Sequence, residues 1–574
     1  MKRSNDEIKA LYERWMDALP ADSELRAELA QYDEETIRER FITDLSFGTA
    51  GLRGVMAAGS NAMNLYTVMQ ATQGFAEYIR IQGGAERGVV IAYDSRINSR
   101  LFAESAASVF AANGIKTYLF DALRPTPELS FALRHLKCMA GVNITASHNP
   151  KQYNGYKAYW EDGAQLGPDQ ANAVAACIGR CDIFSGVRSC DFRQACADGR
   201  IVMLGRSTDE AYIRAVMKER VNPQMTINEY FRVVYTPLHG AGRTLVPEVL
   251  RRCGIRHLYT VAEQMVPDGT FPTTPRPNPE YPEVFEKAIE LADRVESDLI
   301  IANDPDCDRT GVMARGRDGR FVALSGNQVG CLLLDYILTV LKNKGELPAR
   351  PYAVKTIVTS ELVTRICAKA GVKLYNVLTG FKYIGEVIKE HENDPESMML
   401  LGFEESYGYL KGSYARDKDG VLAAMLIAEM AAFYRMRRMS LLDAMQSLYK
   451  RYGWFCEKTD EIYMEGLDGL ERMKALMDRL RSCPPADIAG RPIRYVRDYQ
   501  KGTIVNVKSG VSMPTNLPRS NVLYFETVDQ NVVVIRPSGT EPKIKVYFLT
   551  HDDTEEASRQ TLDAFRAAAS AWLR

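Results

Sequence analysis

The sequence predicts an α/β protein: three similar α/β domains and a smaller α+β C-terminal domain around a central cleft. Two observations carry this. Short apolar strand patterns alternate with helical patterns in three successive stretches, and in each stretch a strand ends in a polar loop. The chain also has 574 residues. Hydrophobic cores stop growing at roughly 250–300 residues, so several domains are expected. In layered α/β units ligands bind at the carboxyl ends of strands, and three such loops can face one cleft.

The first 45 residues read as a helical segment. Ile8, Leu11, Trp15 and Leu19 recur at helical spacing, Ser4 and Glu7 suit a capping box, and Pro20 ends the run. A second short helix is expected over 34–45. In the first α/β stretch, 88–93 (GVVIAY) is a strand and a helix follows from Ser99. A strand at 115–120, a helix near 128–136 and a strand at 139–144 complete it, running into TASHNP at 145–150. In the second, 231–235 is a strand, a helix follows Gly242, and the strand 298–303 (DLIIAN) runs into DPDCDR at 304–309. In the third, 352–358 is a strand, a helix follows Ser360, and the strand 398–403 (MMLLGF) runs into EESYG at 404–408. From about Trp454 the pattern changes. A helix over 467–480 and strands at 532–535 and 544–549 flank RPSGTEPK. Five prolines between 264 and 281 make that stretch a long loop. The resulting division is a helical segment over 1–45, α/β domains over 46–205, 206–325 and 326–450, and an α+β domain over 451–574.

Composition narrows the function classes. Lys plus Arg (72) balances Asp plus Glu (73), which argues against nucleic acid or a membrane surface as partner, since both need a basic excess. Residues 1–10 are too charged for a signal peptide, and no apolar run of about 18 residues can span a bilayer. Eleven cysteines without a CxxC pair read as reduced cytoplasmic thiols.

Five loops carry candidate chemistry. TASHNP offers Ser147 at a strand end, where its hydroxyl can hold a phosphoryl group; an ordinary Ser/Asn turn accounts for the same residues. DPDCDR sets Asp304, Asp306 and Asp308 two residues apart, so that their carboxylates can converge on a hard cation such as Mg²⁺. An EF-hand is excluded, because Arg309 replaces the required glycine and Arg315 the bidentate glutamate. Cys307 does not suit a hard metal. The remaining alternative is a solvated acidic turn, against which stands the mutual repulsion of three close carboxylates. RPSGTEPK supplies Arg536, Ser538, Gly539, Thr540 and Lys543, suited to a phosphate dianion or simply to a β-turn. FGTAGLRG at 47–54 brings Arg53, which can stabilise a transferring phosphoryl group, or forms a linker. GFEESYG at 402–408 brings Glu404 and Ser406, fit to bind sugar hydroxyls or to cap a helix. No Gly-Lys dipeptide, GxSxG or HExxH occurs, which removes Walker A nucleotide binding, the hydrolase elbow and the zinc protease helix.

These loops, in this order and spanning nearly the whole chain, resemble the α-D-phosphohexomutase family. The resemblance is nearest to the phosphoglucomutase/phosphomannomutase branch with an N-terminal helical segment, which includes phosphopentomutases. It implies a phosphoserine at Ser147 and Mg²⁺ held by Asp304, Asp306, Asp308 and the serine phosphate. It implies that Glu404 and Ser406 grip sugar hydroxyls and that Arg536, Ser538, Gly539, Thr540 and Lys543 hold the non-transferring phosphate. Arg53, His148, Lys157 and Arg309 are implied around the phosphoserine, with Lys157 as general acid/base. TGFK at 379–382, with Lys382, resembles the glucose-specific branch. The expected activity is therefore a cytoplasmic phosphoglucomutase interconverting glucose 1-phosphate and glucose 6-phosphate, with glucose 1,6-bisphosphate as activator and intermediate. Its expected partners are small sugar phosphates, and its expected assembly a monomer or homodimer. Phosphopentomutase and phosphomannomutase activities and a glucose 1,6-bisphosphate synthase are the rivals within the chemistry. An inactive sugar-phosphate-binding protein is the rival of another class.

Overall fold

Three mixed α/β sheets and one antiparallel sheet follow each other along the chain. They are seen in a computed structural model that describes residues 2–49, 51–464, 469–538 and 543–573. The described residues of Met1–Gly326, Ile384–Pro395 and Ser406–Ser440 form one compact unit. Those of Asn327–Tyr383, Glu396–Glu405 and Leu441–Arg574 form a second.

The first unit opens with the capped helix Asn5–Ala18. Ser4 Oγ accepts from the Glu7 amide at 3.3 Å and Glu7 Oε2 from the Ser4 amide at 2.7 Å, so two otherwise orphaned donors are satisfied. Ile8, Trp15 and Leu19 bury against Leu29 and Phe41. The second expected helix is shorter, Glu34–Phe41, and a further one, Glu24–Leu29, precedes it.

The first sheet of this unit has six strands. Ala140–Ile144, Val89–Tyr93, Thr117–Phe120 and Ile201–Leu204 run parallel, and Leu52–Val55 and Tyr153–Trp160 add antiparallel at one edge. Val89–Tyr93 and Ala140–Ile144 are buried along their whole length, as strands covered by helices on both faces must be. The second sheet repeats the plan. Leu299–Asn303, Arg232–Thr236 and His257–Thr260 run parallel, with Thr310–Arg315 and Phe321–Leu324 returning antiparallel. The helix Gly420–Arg435 belongs to the same unit and is almost wholly buried.

The second unit holds the parallel strands Lys373–Val377, Arg350–Thr356 and Ser397–Glu404. It also holds an antiparallel sheet that includes Trp454–Tyr463, Lys543–Asp552, Val532–Pro537, Leu523–Thr527 and Arg491–Asp498. Both expected C-terminal strands lie in that sheet. The helix expected from 467 is described over Gly469–Ser482, its first two expected residues lying outside the described ones.

A buried carboxyl gives the second unit its own pH dependence. Burial lifts Glu457 to about 7 from an ordinary 4.5, against the pull of hydrogen bonds from Ser360 and Asn327 and of the Lys355 ammonium. The folded chain therefore keeps this proton between about pH 4.5 and 7, where the unfolded chain has lost it. Stability from this group is present below that window and falls as pH rises through it, by roughly 2–4 kcal/mol. Glu457→Gln should remove the slope. Its melting temperature relative to wild type is expected to rise between pH 5 and pH 8, and a constant difference would show that Glu457 does not titrate there.

Candidate active site

Two strand ends of the first unit meet at a nucleophile and an acidic turn. Ser147 lies three residues past the strand Ala140–Ile144. It is 3% exposed and has φ +52°. That left-handed conformation costs a non-glycine residue about 1–3 kcal/mol and persists only where neighbours enforce it. The Ser147 amide donates to Thr145 Oγ1 at 2.8 Å. Its hydroxyl donates to Asp304 Oδ2 at 2.7 Å, and His148 Nδ1 lies 3.3 Å from the same Oγ.

Asp304 begins the turn after Leu299–Asn303, and its Oδ1 accepts from the amides of Asp308 (3.1 Å) and Arg309 (3.0 Å). Asp304, Asp306 and Asp308 are all buried and present carboxylate oxygens within 4.8 Å of one another. Lys157 faces them because Tyr153–Trp160 pairs antiparallel with Ala140–Ile144, placing Lys157 opposite Asn143. Its Nζ donates to Asp306 Oδ2 at 2.6 Å and to Asp308 Oδ2 at 3.1 Å. Lys418 lies 3.0 Å from Asp308 Oδ2 and 3.3 Å from Asp417 Oδ1. Thr126 fastens the turn to the first sheet, its amide and hydroxyl donating to the Asp306 carbonyl (2.9 Å) and Oδ2 (2.8 Å).

The charges do not balance. Asp304, Asp306, Asp308 and Asp417 are set against the ammonium groups of Lys157 and Lys418, so four buried carboxyls face two lysines and full ionisation would leave a surplus of negative charge. Burial, and then the fields of Asp306 and Asp308, push the Asp304 carboxyl well above its ordinary range. Burial would raise Asp306 too, but Lys157 and a hydrogen bond to Asp304 outweigh it and hold that carboxyl low. Burial would lower Lys157, but Asp306 and Asp308 outweigh it and keep the ammonium charged. Asp306 Oδ1 and Asp308 Oδ1 are buried and accept no hydrogen bond from the described residues. A surplus of buried carboxyls over lysines and two unused carboxylate oxygens fit a hard divalent cation.

The other expected residues of this unit lie as follows. Arg53 Nη1 donates to Asn149 Oδ1 at 3.1 Å, which ties FGTAGLRG to the serine turn. Arg309 pairs with Glu280 of the proline-rich loop. Ser406 is half-buried. In the second unit, Glu404 Oε1 accepts from the Gly380 amide at 2.9 Å. Arg536 donates to Tyr547 at 3.2 Å. Burial opposes its charge, but Tyr547, Glu405 and Glu404 outweigh that and raise its pKa. Lys382 Nζ lies 4.8 Å from the ring centre of its neighbour Tyr383. The Ser538 amide donates to the Lys543 carbonyl at 2.8 Å, and Lys543 Nζ is 3.6 Å from Glu461. Gly539 and Thr540 lie outside the described residues. Sequence reading missed Thr126, Asp417 and Lys418. The alternating charges of RDKD at 416–419, just before a long apolar run, were the available signal for the last two.

Serial α/β units of this kind, with a buried serine turn facing a buried aspartate turn, are those of a multidomain sugar-phosphate mutase. The models for phosphoglucomutase/phosphomannomutase α/β/α domains I, II and III match residues 44–182, 210–317 and 325–452, and that for the C-terminal domain matches 509–567. The chain belongs to the phosphoglucomutase/phosphomannomutase family. The phosphoglucomutase of Staphylococcus saprophyticus is 34% identical over 534 residues, covering 92% of this chain and 95% of that one. That of Staphylococcus aureus is 35% identical over 517 residues, covering 89% and 90%. Two solved structures share the fold. One is parafusin (phosphoglucomutase) from Paramecium in its open form, with TM-score 0.68, 18% identity, and coverage of 92% of this chain and 95% of that one. The other is a family protein from Burkholderia thailandensis, with TM-score 0.66, 19% identity, and coverage of 92% and 97%. No helix among the described residues is long and apolar enough to cross a membrane.

The charge count makes a prediction. Titration calorimetry with Mg²⁺ or Mn²⁺ should find one site per chain, weakened at least roughly tenfold by Asp306→Asn or Asp308→Asn. Unchanged affinity in both variants would move the ion elsewhere.

Proposed function

We propose that this chain is a phosphoglucomutase. It interconverts glucose 1-phosphate and glucose 6-phosphate through a phosphorylated Ser147 and a glucose 1,6-bisphosphate intermediate. The observation that carries the proposal is Ser147 Oγ held 2.7 Å from Asp304, in a turn where three buried carboxyl groups converge. The names of the staphylococcal relatives support glucose as the sugar, and Lys382 is the residue assigned to that preference.

The free hydroxyl of the sugar monophosphate attacks phosphorus, and the bond from phosphorus to Ser147 Oγ breaks. The proton of that hydroxyl passes to a base, and Ser147 Oγ regains one. His148, 3.3 Å away, is placed to exchange a proton with Oγ. Lys157, kept charged by two aspartates, is assigned as a proton donor and not as an acceptor. The bisphosphate then turns about and returns its other phosphoryl group to Ser147. Mg²⁺, held by Asp304, Asp306 and Asp308, would neutralise charge on the transferring group. Arg53 and Arg309 are assigned to that group's oxygens. Glu404 and Ser406 are assigned to the sugar hydroxyls, and Arg536, Ser538, Gly539, Thr540 and Lys543 to the phosphate that stays. All eleven cysteines are free thiols, which supports a reducing, cytoplasmic setting for free sugar phosphates.

The test is a coupled assay of glucose 1-phosphate with Mg²⁺ and a trace of glucose 1,6-bisphosphate, beside ribose 1-phosphate and mannose 1-phosphate. Glucose turnover is expected to be fastest and to disappear in Ser147→Ala, because uncatalysed phosphate-ester cleavage is slower by up to ~10²¹-fold. Turnover surviving in Ser147→Ala would end the covalent scheme. A faster pentose or mannose reaction would reassign the sugar.

A further inference from the structure

The Ser147 turn is held from behind by a buried arginine to which nothing above gives a role. Arg96 follows the strand Val89–Tyr93 and is 3% exposed. Its Nη1 donates to the carbonyls of Pro150 and Tyr153, each at 3.0 Å. Its Nη2 donates to the carbonyl of Ser147 at 2.6 Å and to that of Asn149. Its Nε lies 3.3 Å from Asp94 Oδ2. That same oxygen accepts from Thr145 Oγ1 at 2.5 Å, and Thr145 Oγ1 in turn accepts the Ser147 amide at 2.8 Å. Both the amide and the carbonyl of Ser147 are thus tied to one Arg–Asp pair.

A seal covers this pair. Phe271 of the proline-rich loop lies 5.1 Å from the Arg96 guanidinium, measured to its ring centre. Phe271 has φ +48°. Two residues before it, Gly269 passes so close to the Arg96 turn that a Cβ there would meet the Ile97 nitrogen at 2.3 Å. The long loop therefore closes over Arg96 with a specific aromatic face and a glycine that nothing larger can replace.

We propose that Arg96, sealed by Phe271, is a positioning residue for phosphoryl transfer. It fixes the left-handed Ser147 peptide so that Oγ stays aimed at Asp304. The proposal rests on the phosphoserine reading above. Guanidinium chemistry is what the site requires. Four carbonyl oxygens and a carboxylate are spanned by one rigid planar fork, whereas an ammonium group is a single point with three donors. Four carbonyl acceptors and one carboxylate ion pair converging on one charge also explain why an arginine can be buried here at all.

Arg96→Lys keeps the charge and removes the fork. It should lower kcat about 100-fold, the cost of an ångström-scale misplacement of a reacting group. KM for glucose 1-phosphate should move less than about threefold, because Arg96 touches no group assigned to the sugar. Trypsin should cut after the exposed Lys151 faster than in wild type, as followed by mass spectrometry. Phe271→Ala should shift all three readouts in the same direction by less. In Arg96→Ala, millimolar guanidinium, and not ammonium, should restore turnover several-fold. Wild-type kcat in Arg96→Lys, a rise in KM alone, or absence of guanidinium rescue would overturn the assignment. Turnover surviving in Ser147→Ala would overturn it through its premise. Cleavage after Lys151 reports the clamp without catalysis, so the two failures can be told apart.

Discussion

Burying four carboxylates in one small volume is the constraint on which the first unit depends. Isolated charges of that kind are prohibitive in a low-dielectric interior. The fold answers with two lysines from distant parts of the chain. Lys157 arrives only because an antiparallel strand turns back beside Ala140–Ile144. Lys418 arrives only because the segment before Gly420–Arg435 docks on the acidic turn. That docking is close: the Gly420 amide donates to the Cys307 carbonyl at 3.1 Å, and a Cβ at Gly420 would meet that oxygen at 2.5 Å. The helix also points its amino end, with its positive dipole, toward the aspartates. Two lysines face four carboxyls, and that shortfall of basic groups separates a site for a cation from a buried salt-bridge network.

What could be read from the sequence follows from which contacts are local. Ser147 and the three aspartates were legible because each sits directly after a continuous apolar strand. Strand ends deliver ligands in α/β sheets whatever the tertiary details. Arg96 was not legible, and Lys418 was marked only by the charge alternation of RDKD. Arg96 is three residues past a correctly expected strand, yet the carbonyls it binds lie more than fifty residues away, and nothing in YDSR announces four carbonyls. The helix Gly420–Arg435 also gave no signal of its place. It is buried on all sides, so the one-sided apolar spacing that marks a surface helix is missing. In the last sheet, Val532–Pro537 was found from its valine run. Arg491–Asp498, with four charged residues in eight, carries no such pattern and is held mainly by its neighbours.

The second unit solves a milder form of the same problem with the signs reversed. Arg536 is buried enough that desolvation opposes its charge, and Tyr547, Glu405 and Glu404 sustain it. Glu404 is in turn anchored by the Gly380 amide. In the proposed assignment of Arg536 to the phosphate that stays, an arginine stabilised by two carboxylates is a restrained receptor. An incoming dianion must compete with carboxylates already present, so binding is weaker than a naked guanidinium would give. For the proposed bisphosphate, which would let go and rebind the other way round, moderate grip at the remote phosphate is an advantage, since uniformly tight binding lowers KM without speeding the chemistry.

The three polar loops share one backbone device and use it without a glycine at the tip. Strands ending at Ile144, Asn303 and Glu404 are each followed, three or four residues on, by a non-glycine residue with positive φ: Ser147 at +52°, Cys307 at +54° and Tyr407 at +66°. Glycine would adopt these angles without strain, but it would leave nothing to hold. Ser147 needs its hydroxyl. Cys307 needs its bulk, since it is fully buried and its sulfur fills the space against Gly242, while its carbonyl abuts Gly420; both glycines are the first residues of helices. A Cβ at Gly242 would meet the Cys307 sulfur at 2.9 Å. The strain therefore sits in the turns, and the glycines sit in the helices that press on them. This division lets the scaffold enforce a conformation that the turn residues would not adopt alone, and it places the enforced side chains at the carboxyl ends of the sheets, where the chemistry is proposed to occur.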